Sequence, residues 1–189
     1  MRKTRHFLLI ISLLLSFSAP VLALDLGKAA LFSTGWIAGI YCHELGHSTV
    51  ALIQGATVKS INFSSTDVRY GDMSPQELDE KIKWLSMGGY LAQSIASEVI
   101  LQNKNWHEND FALGMMWMGI NNNLNNVIAY YVFHATNNDL GVYATRGGDP
   151  LVPAILMAGW SSFVLYRIFT DTKIIPYLSN RVLGITIPF

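Results

Sequence analysis

The stretch Tyr41-Cys42-His43-Glu44-Leu45-Gly46-His47 carries the pattern His-Glu-x-x-His inside an apolar run, residues 29–53, whose one formally charged member is Glu44. A run of that length and character forms a helix, and residues four apart on a helix share one face about a turn apart. His43 and His47 can therefore grip a single ion. Neutral imidazole is a nitrogen donor suited to zinc, and two such ligands leave room for a third protein ligand and a water. Zinc lowers the pKa of that water to about 7, and the Glu44 carboxylate is the natural base to take its proton and pass it to a leaving amine. A carboxylate in an otherwise uncharged run is costly without a partner or a task, which argues against two histidines that merely pack.

Around this stretch the chain has 189 residues, 51% apolar and 14% charged, with a mean hydropathy of +0.30. That balance suits a membrane protein with polar loops better than a soluble domain. The formal net charge is +0, so nothing points to nucleic acid. Cys42 is the only cysteine, which excludes an intramolecular disulfide, and it reads as a small packed residue rather than a nucleophile.

The N-terminus has a basic head, Arg2, Lys3 and Arg5, an apolar middle, and small residues up to Ala23. It reads as a signal peptide over residues 1–23, with an uncleaved signal anchor as the rival. Removing it leaves 10 basic and 13 acidic residues, a net charge of −3. Residues 24–189 then form one membrane-embedded domain.

The expected fold is mostly α: a polytopic helical membrane protein with about four transmembrane helices, plus a short β element after the first. Span one covers residues 29–53 and carries the motif. Gly55 ends it, and residues 56–63 alternate like a strand. Ser74-Pro75-Gln76-Glu77 has the form of a capping box with proline at the first helical position. It opens an interfacial helix that leads into span two, residues 86–102, headed by Gly88-Gly89 and charged only at Glu98. Asn109-Asp110 caps span three, residues 111–134, which holds Asn121, Asn122, Asn123, Asn125 and Asn126. Amides at that density need partners, as an interhelical hydrogen-bond seam or as the lining of a water route. Asp149-Pro150 starts span four, residues 151–170. The tail from residue 171 onward carries no assignable pattern.

The third ligand is open among Asp139, Glu98, His134 and Asp149. Depth in the proposed spans, at 1.5 Å per helical residue, favours Glu98, which falls level with the histidine pair.

His43-Glu44-Leu45-Gly46-His47 in an apolar helix, then Gly55 and a strand-like stretch, then Gly88-Gly89 heading a second span, resembles the site-2 protease family of intramembrane zinc metalloproteases. In that family the third ligand is an aspartate in an Asn-Pro-Asp-Gly or Leu-Asp-Gly type motif on a later segment. Asn137-Asn138-Asp139-Leu140-Gly141 is the nearest match; it has no proline, and Leu140 stands between the aspartate and the glycine. The resemblance implies zinc (Zn2+) held by His43, His47 and Asp139, Glu44 as the catalytic proton carrier, and endopeptidase hydrolysis of a membrane-anchored protein or peptide. It implies a multi-pass protein in contact with the lipid bilayer, in a bacterial inner membrane. The alternative is a catalytically inactive zinc-binding scaffold, a pseudoprotease. A metal transporter would use the same ligands, but the chain has no His-rich loop or second intramembrane histidine pair.

Overall fold

The computed structural model describes residues 26–103, 105–106, 108–171, 175–179 and 182–186. The expected signal segment lies outside them. The elements in chain order are α1 (Leu26–Ile53), β1 (Thr57–Ile61), β2 (Thr66–Arg69), α2 (Pro75–Gln102), α3 (Asp110–Tyr131), α4 (Asp139–Thr145), α5 (Leu151–Asp171), β3 (Ile175–Ser179) and β4 (Val182–Thr186). The two strand pairs are separate antiparallel hairpins.

Local chemistry sets most of the boundaries. Gly55, at φ 77°, ends α1. Its N–H donates to Leu52 O and that of Ala56 to Ala51 O, the paired bonds that satisfy the last carbonyls of a helix. Ser74 Oγ accepts from Glu77 N at the start of α2, and Asn109 Oδ1 accepts from Phe111 N and Ala112 N at the start of α3. Asp149 Oδ1 accepts from Leu151 N and opens α5. The interfacial helix and the second apolar run form one helix of 28 residues rather than two. Among its charged residues, Asp79 pairs with Arg146 at 2.7 Å and ties the start of α2 to the end of α4.

The expectation of about four membrane-crossing helices is corrected here. Among the described residues one helix, Leu151–Thr170 with a mean hydropathy of 1.5, is long and apolar enough to cross a membrane. The physical reason is polar content within the other long helices. His43, Glu44 and His47 interrupt α1, a charged opening with Gln93 and Glu98 interrupts α2, and five asparagines interrupt α3.

Helix α1 is central, packed between α2 and α3, while α5 covers the outer side of α3. A core cluster of Ile100, Leu101, Ala112, Leu113, Met116, Ile120, Val164 and Ile168 joins the end of α2 to α3 and α5. Burying each such side chain contributes about 1.5–3 kcal/mol. The α1–α2 contact is different in kind, because Gly46 and Gly88 bring two backbones together. A Cβ on Gly88 would lie 2.6 Å from Gly46 O and 3.0 Å from His47 Cα.

The β1–β2 hairpin pairs Val58 with Val68 and Ile61 with Thr66, with a bulge between Val58 and Ser60. It lies along α1: Phe63 meets Tyr41 edge-on at 6.2 Å, and Tyr70 OH donates to Gln54 Oε1 at 2.6 Å. Burial pushes the Tyr70 hydroxyl above its ordinary pKa, which keeps it a donor.

Replacing Gly88 by Ala forces α1 and α2 apart by a backbone contact that no rotamer change relieves. The expected cost is about 1–3 kcal/mol, read as a lowered unfolding midpoint in detergent. An unchanged midpoint would show that the interface is looser than its geometry.

Candidate metal centre

His43, Glu44 and His47 are all more than nine-tenths buried on α1, at the contact with α2. The two imidazoles meet edge-on, and their Nε2 atoms are 3.0 Å apart. Asp139, the first residue of α4, brings its carboxylate to both rings: Oδ2 is 3.0 Å from His43 Nε2, and Oδ1 is 3.5 Å from His47 Nε2. One ligand atom from each residue lies within 4.8 Å of the others, so the three could hold a metal ion.

The hydrogen bonds around the rings decide whether these atoms can act as ligands. His47 Nδ1 is 2.7 Å from Leu85 O, which only accepts, so the ring proton sits on Nδ1 and the Nε2 lone pair is free. At His43 the acceptor is Gln93 Oε1, 3.3 Å from Nδ1. Gln93 is oriented by its own amide, which donates to Gly39 O at 3.3 Å, so its oxygen is the atom left to face the ring. The amide nitrogen of Asn122 lies 3.1 Å from the same Nδ1 and 3.4 Å from Gln93 Oε1. The His47 Nε2 lone pair, the Asp139 carboxylate and His43 Nε2 therefore converge, with a proton on His43 Nε2 only where its Nδ1 accepts from the Asn122 amide instead of donating to Gln93 Oε1. That arrangement is repulsive unless a cation or a proton joins it. Tetrahedral zinc with bonds of 2.0–2.1 Å sets its ligand atoms roughly 3.3 Å apart, and separations of 3.0 to 3.5 Å fit it.

Two further features shape the site. A Cβ on Gly89 would lie 2.5 Å from His43 Nε2 and closer still to Cε1 and Nδ1, so only glycine leaves room for that ring beneath α2. Thr66 on β2 reaches Glu44: its hydroxyl is 2.9 Å from Oε2 and 2.9 Å from the Glu44 carbonyl. That carbonyl already accepts from Ser48 Oγ at 3.0 Å as well as from the helix. The single Thr66 proton is then best used on the carboxylate, fixing its rotamer.

Asp139 is thus the acid brought to the histidines. Glu98 is not: Oε1 accepts from Gln102 Nε2 at 2.7 Å, and Oε2 is buried without a protein partner. His134 sits at φ 54° in the turn after α3, and Asp149 is spent on capping α5. Cys42 turns its thiol to Ala92 O, away from the cluster. Gly89 stood out in the sequence as part of Gly88-Gly89, whereas Gln93 and Thr66 did not. A glutamine four residues after Gly89 in an apolar stretch was a usable signal for Gln93. Thr66 had none, because its reach depends on how the hairpin lies on α1.

Comparison with known proteins returns no match: no protein-family model, no curated protein and no solved structure is significantly similar to the chain.

Substituting Gly89 by Ala displaces the His43 ring and should weaken zinc binding by about 10–100-fold, the range for disturbing the support of a ligand. Competition with a chromophoric chelator measures it, and an unchanged affinity would contradict the placement of His43.

Proposed function

We propose that the chain is a zinc-dependent endopeptidase of the site-2 protease kind, acting on a membrane-anchored protein or peptide. The observation that carries this reading is the convergence of His43, His47 and Asp139 beside a carboxylate, Glu44, that Thr66 holds by its Oε2. The family resemblance rests on the motifs around His43 and Asp139. Localisation in a membrane is supported by the apolar length of Leu151–Thr170 and by the exposure of Leu151, Val152, Ile155 and Leu156 along it. Leu91, Ile95 and Val99 offer further apolar contact on α2.

Zinc at this site would polarise the scissile carbonyl and make a water acidic enough to attack it. The chain's own residues do the rest. Glu44 takes the proton of the attacking water and delivers it to the leaving amine, a contribution of about 10²–10⁴-fold for a positioned acid–base group. Thr66 keeps the carboxylate in one rotamer, with its second oxygen Oε1 left for that exchange. Leu85 O holds His47 in the tautomer that binds metal, and Gln93 and Asn122 orient the His43 ring.

Glu44→Gln is expected to retain zinc and to lose peptide hydrolysis by about 10²–10⁴-fold, measured on a membrane-anchored peptide in detergent or liposomes. Zinc-loaded wild type that cleaves no such peptide, or a Glu44→Gln variant as active as wild type, would overturn the protease and leave the zinc-binding scaffold. Thr66→Val should lower kcat with little change in KM, and Thr66→Ser should restore it. Equal activity in all three would remove Thr66 from the mechanism.

A further inference from the structure

The third ligand is carried by a helix of seven residues, far too short to be stable alone. Its capping residue, Asn138, accepts from Gly141 N at 2.7 Å, and Leu140 is fully buried beneath it. Neither contact relates Asp139 to the histidines on α1. Asn126 on α3 does. It is 5% exposed, and it holds the chain on both sides of Asp139. Its Oδ1 accepts from Leu140 N at 3.4 Å, and its backbone carbonyl accepts from Asn138 Nδ2 at 3.0 Å. Its own amide donates to Asn122 O at 3.1 Å, and the Asn122 side chain lies 3.1 Å from His43 Nδ1. A line of asparagines thus runs from one ligand to another without passing through the metal position.

We infer that Asn126 is a positioning residue of the metal centre, which presets Asp139 against the histidine pair before any ion binds. The inference rests on the zinc site of the proposed function, though not on peptide hydrolysis. Affinity falls in proportion to the fraction of molecules in which the binding arrangement is formed, so a loose α4 makes each binding event pay for its own ordering. Asn126, with its buried side-chain oxygen on Leu140 N and its backbone carbonyl on Asn138 Nδ2, lowers that cost. The apolar length of α3 is interrupted by asparagines because two of them, Asn122 and Asn126, bond to this centre.

The test is a double-mutant cycle on zinc affinity, measured by chelator competition on the full chain in detergent, with wild type, Asn126→Ala, Asp139→Ala and the double variant. Asn126→Ala should weaken zinc by about 10–100-fold in the presence of Asp139 and have no further effect once Asp139 is removed, because nothing is left to position. No change in the single variant, or the same fold-loss in both backgrounds, would overturn the inference by reducing Asn126 to a structural amide. Should Asn126→Ala fail to fold, Asn138→Ser replaces it. Serine still caps Gly141 N but has no amide to give Asn126 O, so the same cancellation with Asp139→Ala is expected, and additive losses or none would refute it. Wild type that binds zinc but cleaves nothing overturns the protease reading alone, whereas wild type that binds no zinc overturns this inference too.

Discussion

Two imidazoles one turn apart on a helix cover only one side of a metal ion, and the helix that carries them cannot close the other side. Glu44, next to His43 in sequence, points about 100° around the axis from it and is held by Thr66 instead. A carboxylate has to come from elsewhere in the chain and meet the rings within a fraction of an ångström. Much of the architecture follows from that need. Helix α3 runs beside α1 in the same direction, the chain turns at His134, and a seven-residue helix sets Asp139 over the pair. Leu140, which stands between Asp139 and Gly141, is the buried anchor of that helix. Gly141 follows because a Cβ there would lie 2.5 Å from Ala135 O.

The same site dictates how closely the helices approach. An imidazole at the α1–α2 interface needs space that ordinary side chains on α2 would fill; Gly89 leaves it for His43, and Gly88 lets the two backbones approach. The approach also brings Leu85 O and Gln93 within hydrogen-bonding reach of the rings, so one pair of glycines serves both packing and the orientation of each ring. Gly35 and Gly114 do the equivalent on the α1–α3 side, where either Cβ would collide with backbone of the facing helix. Small residues at both faces of α1 let three polar helices share one buried centre.

Much of this was legible from residues alone. The histidine pair, the caps at Ser74, Asn109 and Asp149, and the break at Gly55 are local features, and the structure has the pair inside α1 and helix ends at the other four. The count of membrane-crossing helices was not, because long apolar runs were weighed by length while the polar residues inside them were set aside for function. Those residues lower the apolar character of α1, α2 and α3 below that of α5. Helix α4 and the β3–β4 hairpin escaped notice because seven-residue and five-residue elements carry too little periodicity to be seen. Depth along straight spans favoured Glu98 over Asp139; it failed because α4 folds back over the bundle, a tertiary event with no local signature. The asparagines of α3 were visible, but their partners were not.

The central claim is that one zinc ion is held by two histidines and the Asp139 carboxylate. X-ray absorption at the zinc edge of the loaded full chain tests it most directly. The expected spectrum has two imidazole nitrogens at about 2.0–2.1 Å, with oxygen completing a four-coordinate shell. In Asp139→Ala the imidazole scattering should remain while the oxygen shell changes. A sulfur shell at about 2.3 Å would bring Cys42 into the site, and an ion without imidazole scattering would place zinc elsewhere. Either result would contradict the account.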